Sequence, residues 1–122
     1  MSMGGIEATN VQEITRTLLV ETPSDSEDIT FLYTDEALRI RQMTAILVGS
    51  SVPSVTWTLR HNTDRSAAGS EVVNGGTTTT NTTSGQDIVT FNNADVPSDS
   101  FLWFETTAQS GIVNEISITI LY

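Results

Sequence analysis

The chain has no cysteine, which excludes a disulfide framework, thiol chemistry and any metal site built on cysteine. It has no lysine either: its five cationic residues are Arg16, Arg39, Arg41, Arg60 and Arg65. Histidine occurs once, as His61. No apolar run is long enough to span a bilayer, and residues 1–10 lack the basic-then-apolar pattern of an export signal, so no membrane partner is expected. Ser2 follows Met1 where N-myristoylation needs glycine. Basic charge is outweighed throughout, with a net charge of -10 and a pI near 4.1. That balance opposes a phosphate backbone, whose binding rests on Lys and Arg contacts, and excludes nucleic acid as an expected partner.

What is present reads as strand and turn. At 122 residues the chain is one domain by size. Its most informative stretch is residues 52–73, where Val55, Trp57 and Leu59 alternate with Ser54, Thr56, Thr58 and Arg60. That period of two marks a strand with one buried face, and Trp57 is its core anchor. His61, Asn62, Thr63, Asp64, Arg65 and Ser66 then form a polar turn.

The same signals recur along the chain. Residues 1–13, with paired glycines and few apolar side chains, read as an extended N-terminal arm. Strands are expected at 14–22, ended by Pro23, and at 28–34, with Ile29, Phe31 and Tyr33 on one side. Residues 38–49 read as a strand, apolar on both faces from Met43 onward; a helix over 35–43, capped by Asp35, is the alternative. A short strand at 70–74 precedes the Thr-rich 75–85, a polar loop or edge hairpin whose Asn81 sequon means little without an export signal. Further strands are expected at 87–92, at 100–107 with Phe101, Leu102, Trp103 and Phe104 in succession, and at 113–121. Four large apolar residues in a row cannot share one face, so Trp103 is either core or covered by another subunit. The total is about eight strands: an all-β chain, an antiparallel β-sandwich or jelly roll over residues 14–122.

Chemistry is harder to find. A triad of His61, Asp64 and a serine can be written down, but both lie in one turn and no strained nucleophile loop is visible. Fifteen acids offer glycosidase pairs too freely to be informative. Gly75 and Gly76 precede threonines and not a lysine-tipped helix, which removes a phosphate loop. The carboxylates between Glu21 and Glu36 lack the glycine and final glutamate of an ordered calcium loop and read as a solvated rim. No enzyme, cofactor or metal is expected. Tyr33, Trp57, Trp103 and Tyr122 are the aromatics that could stack on sugar rings.

Residues 54–122 carry a further pattern: an alternating strand, the run Thr63-Asp64-Arg65-Ser66, small residues, Gly69 to Glu71, a Thr-rich stretch, then Val96-Pro97-Ser98-Asp99-Ser100-Phe101-Leu102-Trp103 and a terminal alternating strand. This resembles a β-sandwich module of structural proteins in tailed bacteriophages, found at tail-fibre tips and as small separate virion proteins. With an initiator methionine and no fibre shaft, the chain looks like a capsid decoration, or cement, protein. The resemblance implies a homo-oligomer, a trimer, on the outer capsid surface of the virion, in contact with the major capsid protein. Arg39, Arg41, Arg60, His61, Asp64, Arg65 and Trp103 would be its interface residues. The alternative is a glycan-binding receptor module of a tail fibre or spike.

Overall fold

A computed structural model describes residues 13–122; the greater part of the expected arm, residues 1–12, lies outside the described residues. Nine strands and no helix occur among them. They are β1 (Thr15–Glu21), β2 (Asp28–Thr34), β3 (Leu38–Arg39), β4 (Gln42–Asn62), β5 (Ser70–Glu71), β6 (Thr77–Thr79), β7 (Gln86–Ile88), β8 (Asp95–Val96) and β9 (Ser100–Leu121). The fold is all-β and every pairing is antiparallel. The helix over 35–43 does not form, because Leu38 and Arg39 pair instead with Val96 and Asp95.

Two strands organise the rest. β4 and β9, 21 and 22 residues long, pair along nearly their whole lengths, from Phe101 against Asn62 to Leu121 against Gln42. β9 carries β2 and β1 on its other side, and β4 carries β5, β6 and β7. A straight strand as long as β4 would span roughly 70 Å. Yet the Ile40 N–H bonds to the Ala94 carbonyl at 2.9 Å, and the His61 ring to the neighbouring Asn93 carbonyl at 3.0 Å. The ribbon is therefore folded in half.

The fold lies between the strands expected at 100–107 and 113–121, and between the strand expected at 38–49 and the alternating stretch that follows it. Around it the register of β9 against β4 slips at Thr106/Ala108, Ser110/Ile112 and Val113/Glu115, and such bulges bend a strand without ending its pairing. Gly111 (φ +70°), Ser51 (φ +59°) and Val52 (φ +57°) adopt left-handed backbone there. Glycine takes that conformation freely, while a β-branched residue in it is strained by about 1–3 kcal/mol. Val52 is also 86% exposed, so its side chain offsets none of this by burial. Val52→Gly is accordingly expected to raise stability by about 1 kcal/mol, after glycine's own entropic cost, as read by urea denaturation.

Folding the ribbon brings its two inner faces onto one core. Met43, Ala45 and Leu47 before the bend, and Val55, Trp57 and Leu59 after it, are all buried. They join Leu102, Phe104, Ile116, Ile118 and Ile120 of β9 in a single cluster, as the alternation of Val55, Trp57 and Leu59 led one to expect; the stretch from Met43, read as apolar on both faces, buries Met43, Ala45 and Leu47 and leaves Val48 exposed. Trp57 stacks at 6.1 Å from Phe104, and its indole N–H donates to Thr79 Oγ1 at 2.9 Å, which in turn donates to Gln86 Oε1 at 2.6 Å. A buried indole with its donor satisfied keeps its full apolar contribution. The Thr-rich stretch thus supplies an edge strand and a partner for the core, and Asn81 closes its loop by accepting from the N–H groups of Thr83, Ser84 and Gly85.

Candidate functional site

The polar turn after β4 lies against the outward face of the β2–β9–β4 half of the sheet. Trp103 pairs with Arg60 on one side and Thr30 on the other, and alternation turns its ring away from the core that takes Leu102 and Phe104. It is nevertheless 0% exposed. The Arg65 guanidinium sits 4.4 Å from the centre of the indole, a cation–π contact. Gly69 (φ +75°) closes on the ring edge so tightly that a Cβ would lie 2.6 Å from Cη2. The indole N–H donates to Glu105 Oε2 at 2.7 Å.

Around the indole runs a chain of charges. Arg60 Nε donates to Glu105 Oε1 at 3.2 Å, and its Nη2 lies 3.7 Å from Glu71. Arg65 Nη2 donates to Asp28 at 2.5 Å and its Nε to Thr30 Oγ1 at 3.0 Å. Arg60 Nη1 adds a bond to the Ala68 carbonyl at 3.3 Å, which ties the turn to the sheet. Asp64 shapes the turn itself: the Ser66 hydroxyl at 2.7 Å and the Ser66 N–H at 3.0 Å both donate to Oδ1, and together they hold its carboxyl below the usual aspartate value.

His61 faces the other way. It is 6% exposed, with Nε2 against the Asn93 carbonyl; since a carbonyl only accepts, that nitrogen carries the proton. His61 and Asp64 therefore engage separate partners, and the catalytic pairing written from sequence is not assembled. Elsewhere Arg39 pairs with Asp95 at 2.8 Å on an open surface, where such pairs contribute little. Arg41 is exposed beside Tyr122 and Glu36, which share with it the lining of one shallow depression.

Of the residues expected at an interface, Arg60, His61, Arg65 and Trp103 make contacts inside this chain, while Arg39, Arg41 and Asp64 are exposed. Arg60→Ala combined with Arg65→Ala is expected to cost about 2–3 kcal/mol, since it strips the indole of its cover and leaves Glu105 and Glu71 without a cation in a setting three-quarters buried. Unfolding midpoints of the double variant against the parent check this directly.

One feature escaped sequence reading. Tyr33 and Phe101, paired across β2 and β9, pack with ring centres 5.0 Å apart and planes tilted by 57°. Tyr33 is 52% exposed and donates its hydroxyl to Asp99 Oδ1 at 3.0 Å. That bond, some burial and the charges of Asp99 and Asp35 raise the hydroxyl above the ordinary tyrosine pKa. Tyr33 was a sugar-stacking candidate from sequence; Phe101 was read only as part of an apolar run, and the pairing depends on strand register. Among the described residues no group of three or more His, Asp or Glu side chains converges as a metal site, and no helix is long and apolar enough to cross a membrane. Set against known protein families, curated proteins and solved structures, the chain matches none of them.

Proposed function

We propose that the chain is a structural protein of a tailed-bacteriophage virion, a capsid decoration protein that forms a homo-oligomer, as a trimer, on the outer capsid surface and braces junctions between major capsid subunits. The observation that carries this reading is the outward face of the β1–β9–β4 half of the sheet. Register places Thr17, Thr119 and Thr44 in one row across it and Leu19, Ser117 and Ile46 in the next. The Thr17 and Thr119 hydroxyls bond at 2.8 Å, and Leu19 and Val48 are more than half exposed.

On a chain of net charge -10, these two rows carry no charge across β1, β9 and β4; the first ends on Asp87 of β7, which accepts from Thr44 Oγ1 at 2.9 Å, and Glu21 and Glu115 lie in the row beyond. A partly apolar face with its charges at the margin suits burial against another subunit. Many symmetric copies make individually weak contacts sufficient for a shell. The phage-module pattern of residues 54–122 gives the reading its setting. Light scattering of the purified protein, joined to co-sedimentation with expanded empty capsids, tests it: a trimer that pellets with shells supports it, and a monomer that stays in the supernatant ends it.

A further inference from the structure

Every arginine that sequence reading assigned to an outside carboxylate, save Arg41, has one within its own chain: Arg39 has Asp95, Arg60 has Glu105 and Glu71, and Arg65 has Asp28. The remaining acids are far more numerous. Glu21, Asp35, Glu36, Asp87, Asp99 and Glu115 have no arginine within 4.0 Å among the described residues. The polarity of contact is thus the reverse of the one first expected. This chain presents carboxylates, and a partner must bring the cations.

The place best built to receive one is the Tyr33–Phe101 pair. Two rings tilted against each other, one of them half exposed, stand on paired strands, and the Asp99 carboxylate is fixed at the Tyr33 hydroxyl. Asp99 itself has left-handed backbone, φ +60°, a conformation that Asp tolerates better than most residues, and its carboxylate accepts from the Tyr33 hydroxyl. Aromatic faces attract cations, and an adjacent carboxylate adds a charge-assisted hydrogen bond. Trp103 under Arg65, on the same outward side of β9, shows this chemistry already at work inside the chain. A sugar would use the rings and could donate a hydroxyl to Asp99, but it carries no positive charge for the ring faces and the carboxylate to hold together.

We infer that Tyr33, Phe101 and Asp99 form a receptor for an arginine or lysine side chain of the partner protein. This rests on the decoration reading for the partner's nature, though the site is testable without it. The probe is N-acetyl-arginine methylamide, followed by aromatic-ring NMR on the whole chain, beside the uncharged citrulline analogue and methyl glucoside. The arginine probe is expected to shift the Tyr33 and Phe101 rings with millimolar affinity, the citrulline analogue about fivefold more weakly. Asp99→Asn should weaken the arginine probe to a similar degree, and Tyr33→Ala should abolish the shift at Phe101. Equal binding of citrulline, shifts centred on Glu21 and Glu115, or ring shifts with the glucoside alone would each overturn the inference, the last in favour of a glycan site. If capsids are not bound while the arginine probe still finds Tyr33, the decoration reading falls and the receptor stands; the converse outcome removes the receptor only.

Discussion

Trp103→Ala is expected to cost about 3–5 kcal/mol of folding stability, the range for emptying a buried large aromatic. The indole is fully buried although it faces away from the core, and its removal uncovers three groups at once. Arg65 loses its stacking surface, Glu105 loses a donor and Gly69 loses the ring edge it closes on. Trp103→Phe separates these terms. It keeps a ring under Arg65 but removes the N–H, so about 1–2 kcal/mol is expected from the unmet bond to Glu105 and the smaller ring. Urea titrations of both variants check the order. A residue that served only as a contact for another subunit would show no such loss in the isolated chain.

Gly111→Val is the second large effect, about 2–5 kcal/mol. A Cβ at this position would lie 2.5 Å from the Val52 carbonyl oxygen and 2.6 Å from that of Ser51. Both are backbone atoms of the facing strand, so neither can swing aside as a flexible side chain would. The positive φ of Gly111 adds strain to any L-residue. Because Gly111 lies at the fold of the ribbon, the damage should reach both halves of the sandwich. The expected readout is one lowered cooperative transition, with far-UV and near-UV signals falling together.

These effects mark where sequence reading reached and where it stopped. The alternations Val55–Trp57–Leu59 and Ile116–Ile118–Ile120 gave correct core faces, because period-two burial is a local property of a strand. Gln109, Ser110 and Gly111 were visible as a turn, whereas nothing marked Ser51 and Val52. The bend itself was not legible: a turn and a bulged bend carry the same local residues, and only the partner strand decides whether pairing continues through them. Four expected strands thus became two long ones.

The site divides in the same way. Arg60, Asp64, Arg65 and Trp103 were among the residues singled out, and the structure brings Arg60 and Arg65 to the Trp103 indole while Asp64 shapes the turn that carries Arg65. Their partners lie far along the chain, Glu105 45 positions from Arg60 and Asp28 37 from Arg65. Sequence alone could show that the arginines would seek carboxylates, but not that the chain held its own. His61 went astray for a simpler reason. It continues the buried parity of Val55, Trp57 and Leu59, and its polarity was taken as a sign of the turn that follows.

Position in the assembled particle tests the central proposal most directly. On that proposal, immunogold labelling of intact phage particles, viewed by electron microscopy, should place this chain evenly over the outer capsid surface. Label confined to the tail tip, or none on the particle, would contradict it.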